Sequence, residues 1–154
     1  MTWREDREWK GRGLYIGRNK EVFGAEVFAI TQALEVIDER GEEGQHYTIF
    51  SDSQAALARI RYDGTGPAQA VARRAIHLSE CIVGRENTIT LYWTPSHRGI
   101  EGNEQADTWA KRAAEGREGR AEEPFVLEAS LAHNRKVTES RAEMTASWIR
   151  DHSG

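Results

Sequence analysis

The sequence predicts a single α/β domain, and three observations predict it. Apolar residues recur at three- and four-residue spacing in several separated segments, the mark of core-facing helices. Short β-branched and aromatic runs bounded by turn residues lie between those segments, which is the alternation of strand and helix that builds an α/β sheet. The length of 154 residues, with 38% apolar and 30% charged residues, suits one globular domain with a modest core.

The elements follow in order. Trp3 to Ile16 is short, mixed and aromatic, broken by Gly11 and Gly13, and reads as one or two strands, of which "GRGLYIG" is the better. Residues 17–20 read as a turn. From Val22 to Arg40 the pattern is helical, with Val27, Ile30, Leu34 and Ile37 on one face and glycine in "GEEGQ" to end it. "YTIF", Tyr47 to Phe50, reads as a buried strand. Ser51 to Tyr62 reads as a helix start with Ala55, Ala56, Leu57 and Ile60 apolar, and "DGTGP" as a loop. Ala68 to Val83 is a further helix with Val71, Ala75, Leu78 and Ile82 on one face. "NTITLYWTP" alternates Ile89, Leu91 and Trp93, a strand with one buried face. Asn103 to Ala114 reads as a helix carrying small residues at Ala106, Ala110, Ala113 and Ala114. The domain is expected over 1–115, a charged linker over 116–128, and a helical extension with Val137, Met144, Trp148 and Ile149 over 129–152.

Composition narrows the function classes. No apolar run approaches the roughly 20 residues of a membrane helix, and "MTWREDREWK" has no hydrophobic stretch behind it, so neither a membrane partner nor a secretory signal is expected. Cys81 stands alone, which excludes an intramolecular disulfide or a thiolate metal cluster and fits a reducing, intracellular setting, nucleus or cytoplasm. His46, His77, His97, His133 and His152 never pair at helical i, i+4 spacing, which argues against a histidine zinc site. The net charge of −4 argues against nucleic-acid binding by a general positive field. Basic residues are mostly arginine, which suits bidentate phosphate contacts or reflects base composition in the gene.

Three carboxylates fall at informative places. Glu26 lies near the start of the first long helix, Asp52 directly after the strand "YTIF", and Asp107 among small alanines in the helix that follows His97. Each has an ordinary structural reading: a favourable charge at a helix N-terminus for Glu26, an N-cap for Asp52, a solvated helix residue for Asp107. Ligands favour the carboxyl edge of an open α/β sheet, where Asp52 stands. Carboxylates gathered at one edge repel unless a cation lies between them. Magnesium takes oxygen ligands and keeps its waters, and two ions about 4 Å apart can activate a water and stabilise a leaving oxygen in phosphodiester cleavage. A histidine on a glycine-flanked loop, His97 before Gly99 and Gly102, could move protons beside them.

The blocks "TWREDREWKGRGLYIGRNKEVFGAEVFAITQALE", "TIFSDSQAAL" and "LYWTPSHRGIEGNEQADTWAKRAA" together resemble the type 1 ribonuclease H domain, most like the form that ends fungal non-LTR retrotransposon reverse transcriptases. The resemblance runs from Thr2 to Ala114, in the family's order and spacing. It implies cleavage of the RNA strand of an RNA–DNA hybrid by two magnesium ions, with manganese as the alternative, and an upstream reverse transcriptase domain as a partner within a parent polyprotein. By the same resemblance Glu26, Asp52 and Asp107 match three metal ligands and His97 the histidine of the mobile loop. Ser53, Gln54 and Asn103 fall where family members contact the hybrid.

The resemblance also implies a fourth carboxylate in an opening strand, usually within "DGS", that bridges both metals. The chain lacks that segment, so a ribonuclease H-like fold without its first strand and most of its second is expected. Asp6 follows the matching Trp3 and Asp63 sits in a loop, so neither takes the missing place. Activity of this chain alone is therefore doubtful. The alternative is a non-catalytic nucleic-acid-binding remnant, with Arg73, Arg98 and Arg112 meeting phosphates. An integrase or transposase, which shares fold and chemistry, is disfavoured by the helix-borne Glu26 and the "GNEQAD" block.

Overall fold

The computed structural model describes residues 1–5, 7–16, 22–96 and 98–115. Among these residues four strands and four helices are formed: β1 (Thr2–Glu5), β2 (Glu8–Gly11), α1 (Val22–Arg40), β3 (His46–Ser51), α2 (Gln54–Ile60), α3 (Gln69–Val83), β4 (Thr88–Trp93) and α4 (Glu101–Ala114). The expected turn over 17–20, Asp6, His97, the linker over 116–128 and the helix over 129–152 lie outside the described residues.

Helix α1 is the spine. Its apolar stripe buries Val27, Ile30 and Leu34, and Ile37 packs at the margin of the same cluster. Thr31, fully buried within the stripe, donates its hydroxyl to the Val27 carbonyl at 2.8 Å, so its polar atom is satisfied. Gly41 ends the helix at a φ of 64°, where a Cβ would be strained. Helix α3 lies against α1 and buries Val71, Ala75, Leu78 and Ile82, the predicted face. Each large aliphatic chain buried here contributes about 1.5–3 kcal/mol. Together α2 and α3 form the crossover that lets β3 and β4 run parallel, in register from His46↔Thr88 to Ser51↔Trp93. Asn87 ties the ends of this crossover: its side chain accepts from the Gln45 amide at 2.7 Å and donates to the Glu42 carbonyl at 2.8 Å. Arg59, also buried, donates to the carbonyls of Tyr62, Gly64 and Pro67 and so holds the loop before α3.

The remaining elements form a second unit. β1 and β2 are antiparallel, with Thr2 opposite Gly11 and Glu5 opposite Glu8. Helix α4 packs on both. The contact is reciprocal: a Cβ on Gly11 would run into the Trp109 ring, and one on Gly102 into the Trp9 ring. Thr2 also donates to the Gly102 carbonyl at 3.0 Å. No residue of β1, β2 or α4 belongs to the main apolar cluster. An ion pair from Arg40 of α1 to Glu5 of β1, 3.2 Å long, joins the two units.

Three expectations need correction. The better strand was expected in "GRGLYIG", yet the ladder forms earlier, in "TWRE" and "EWKG". Charged strands persist there because their side chains pair: Arg4 lies over the Trp9 ring at 5.9 Å and Lys10 bonds Glu5. β3 is not buried throughout; Ile49 and Ser51 face the helices while Phe50 is 65% exposed and stacks on Tyr92. In β4, Trp93 does not continue the buried face of Ile89 and Leu91 but is half exposed. The fold class is as expected: among the described residues the strands form one antiparallel and one parallel two-stranded sheet, flanked by helices.

Candidate functional site

The predicted carboxylates come from three elements and meet around one cleft. Asp52 follows β3 directly. The backbone there is fixed on both sides: Thr94 donates to the Ser51 carbonyl at 3.0 Å, and the Trp93 indole donates to the Asp52 carbonyl at 3.1 Å. The N-cap role considered for Asp52 belongs instead to Ser53, whose hydroxyl accepts from the Ala56 amide at 3.2 Å and starts α2. This leaves the Asp52 carboxylate available to the cleft. Glu26 stands one turn into α1, beyond its first turn, on the edge of the buried stripe. Asp107 stands in the middle of α4, and Glu26, Asp52 and Asp107 all line the same cavity.

Electrostatics link the three. Burial pushes the Glu26 carboxyl above its ordinary range, and the charges of Asp52 and then Asp107 push it further; the Met1 amino group opposes them. That amino group is largely buried and is itself lowered by the loss of water, although Glu26 attracts its charge. It donates to the Arg12 carbonyl at 3.0 Å. A half-buried carboxyl held against two others is the setting in which a perturbed carboxylate marks a candidate site.

The donor set is all oxygen, which fits a hard divalent cation in kind. In arrangement it falls short. Among the described residues, no group of three or more His, Cys, Asp or Glu side chains is placed to hold a metal ion by itself. The other predicted residues are distributed around the same end. Asn103 lines the cleft from the first turn of α4, while Gln54 is exposed at the start of α2 next to Ser53. Pro95 and Ser96 lead from β4 to His97, and Gly99 follows at a φ of 70°.

Sequence reasoning missed the cleft itself. It is a cavity of about 1360 Å³ between β1 and β3, with α1 on one side and α4 on the other. The alanines at Ala25, Ala29 and Ala33 of α1, facing Ala106, Ala110 and Ala113 of α4, were the available signal. Small side chains at helical spacing on two helices leave room between them.

Comparison with known proteins gives one positive finding. No curated protein matches the chain. Residues 18–115, which carry α1 through α4 with Glu26, Asp52 and Asp107, match the RNase H family, and the chain belongs to that family.

Proposed function

We infer that this chain is a ribonuclease H domain of retroelement origin, built to hydrolyse the RNA strand of RNA–DNA hybrids with divalent metal ions. RNase H domains act on such hybrids and generally use divalent metals, and membership of the family supports the general reading. The observation that carries the specific one is that Glu26, Asp52 and Asp107 line one cleft, where burial first and then the charges of Asp52 and Asp107 raise the Glu26 carboxyl. Glu26, Asp52 and Asp107 would be three of the ligands of magnesium, or of manganese as the alternative, a set that is not closed among the described residues. When bound, the ions supply an activated water and stabilise the departing oxygen.

The chain's own residues do the rest. Asp52 is presented at the carboxyl edge of the parallel pair by its backbone bonds. Glu26 accepts or yields a proton according to whether a cation neutralises its neighbours. Ser53, Gln54 and Asn103 flank that end and would meet the hybrid, and His97 would carry protons or assist product release. Exposed arginines, among them Arg73 and Arg98, would meet phosphates. The resemblance implies a fourth carboxylate, in an opening strand, that completes the ligand set.

The test is incubation of the purified chain with a labelled RNA–DNA hybrid and magnesium, beside an Asp52→Asn variant and a version extended by an N-terminal strand bearing an aspartate. Cleavage by the extended version that drops by a hundredfold or more in its Asp52→Asn form supports the assignment. Failure of the extended version to cleave would reject it. A second reading, a non-catalytic hybrid-binding remnant, rests on the exposed Arg73 and Arg98, which can meet phosphates without any metal. Hybrid binding that weakens steeply with salt, without cleavage by either version, would establish that reading instead.

A further inference from the structure

A second set of metal-ligating side chains lies away from the cleft, on the outer surface of α3. His77 and Cys81 stand four residues apart on that helix, so they are neighbours on its surface, one turn apart. Cys81 Sγ lies 3.8 Å from His77 Nε2. A zinc ion bonds a thiolate sulfur at about 2.3 Å and an imidazole nitrogen at about 2.0–2.1 Å, so two such ligands of one tetrahedral ion are about 3.6 Å apart. The pair therefore stands close to chelating distance with the helix as it is. The same helix buries Val71, Ala75, Leu78 and Ile82 on another face, and neither His77 nor Cys81 lines the cleft. His77 is exposed and Cys81 half-buried, so an ion from solvent can reach both.

The charges around the pair do not oppose a cation. Arg74, three residues before His77, reaches the Glu35 carboxylate at 3.4 Å, and Arg85, four residues after Cys81, reaches that of Asp38 at 2.7 Å. Arg73 turns to Asp63 at 3.6 Å. Each of these guanidiniums is matched by a carboxylate, and the exposed Glu80, between the two ligands in sequence, adds negative charge. Ligand type then decides which ion fits. Imidazole and thiolate suit zinc and its neighbours in the transition series, whereas magnesium takes oxygen. The all-oxygen cleft and the nitrogen–sulfur pair therefore favour different ions. A single thiolate cannot build a cluster, but beside one imidazole at i, i+4 it makes the same kind of chelate that two histidines make on a zinc-binding helix. Among the described residues no third His, Cys, Asp or Glu joins the pair, so the grip is that of two donors, with water completing the shell.

We propose that His77 Nε2 and Cys81 Sγ chelate one zinc-class divalent cation on the surface of α3, at a site separate from the cleft. The thiol proton leaves to solvent as the metal–sulfur bond forms. The ion clips one helical turn between Arg74 and Arg85, the two points at which this segment is tied to α1. It also shields the single thiol of the chain from alkylation and oxidation. The inference does not depend on hydrolysis or on the metals of the cleft.

Cobalt(II) is the probe, because its bond to a thiolate gives a charge-transfer band in the near ultraviolet and Cys81 is the one cysteine of the sequence. The full, reduced chain is titrated with cobalt in the presence of millimolar magnesium. The expected result is a band that saturates at one ion per monomer. Equimolar zinc should bleach it, and further magnesium should not. Cys81→Ser should abolish the band, and His77→Gln should weaken cobalt binding by roughly tenfold or more while helix content stays as in the parent. Alkylation of Cys81 gives a second readout: zinc should slow it by roughly tenfold in the parent and scarcely at all in His77→Gln. No band, or alkylation that zinc does not slow, overturns the proposal. So does a band that His77→Gln leaves intact, which would place the second ligand elsewhere. One ion per two chains in a dimer also overturns it, because the thiolates of two copies would then share the ion.

Discussion

Glu26 shows how one side chain reports on a whole site. Its carboxyl is raised by burial and by two neighbouring carboxylates, so the folded state holds its proton more tightly than the unfolded chain does. A raised folded value means that the associated stability is fully present below the ordinary glutamate range and is lost as pH rises through the folded value. Replacing Glu26 by Gln removes the repulsion. The Glu26→Gln variant should match the parent near pH 4 and exceed it at pH 7. Because the group is partly exposed, the gain stays within about 1 kcal/mol, or a few degrees in Tm. Millimolar magnesium should narrow the gap if Glu26, Asp52 and Asp107 share a cation. Melting curves across pH 4–8 decide it, and a variant less stable than the parent at pH 7 would refute the electrostatic account. At this scale the sequence was informative about residue type and silent about proximity. Asp52, Glu26 and Asp107 stood out by their positions, but the ordinary readings, cap and dipole and solvated surface, suited each one alone. Ser53 took the capping role because its hydroxyl reaches the Ala56 amide, and only that contact frees Asp52 for another purpose.

At the scale of elements, legibility followed periodicity. Helix α1 spans the predicted Val22–Arg40, and α3 begins one residue past its predicted start. Each carries an apolar stripe on a 3.6-residue period with glycine beyond its last residue, a signal that survives without tertiary knowledge. The strands were less legible. β1 and β2 consist largely of charged residues and tryptophan, types whose strand preference depends on cross-strand partners that sequence does not reveal. Phe50 reads as core within its buried-strand run, yet it is exposed and stacks on Tyr92 at 5.7 Å. Two glycines carry more than sequence suggested. Gly11 and Gly102 each admit a tryptophan ring from the opposing element, so α4 sits on β1–β2 through paired contacts. Gly11→Ala should force Trp109 from its place and destabilise the chain by about 1–3 kcal/mol, with a change in tryptophan emission. Unaltered emission and an unaltered Tm would show that the ring has room to move.

The described residues form two packed units. One contains α1, α2, α3, β3 and β4 around the main apolar cluster. The other contains β1, β2 and α4, held by Trp9, Trp109 and their glycines, and contributes nothing to that cluster. Between them lies the cleft, crossed at its rim by the Arg40–Glu5 pair. The family fold was legible from three sequence blocks, and the expectation of a sheet without its first strand fits a β1–β2 pair that does not join β3–β4 among the described residues. Local stability follows buried apolar contact, and regions with little of it open first. Amides of the β1–β2 ladder should therefore exchange with solvent well before those of α1 and α3, through an opening that leaves the main cluster intact. Arg40→Ala should speed exchange in β1–β2 only slightly, since an exposed pair contributes little. Native-state hydrogen exchange resolves these rates residue by residue, and a single uniform rate across β1–β2 and α1 in the chain alone would contradict the two-unit description.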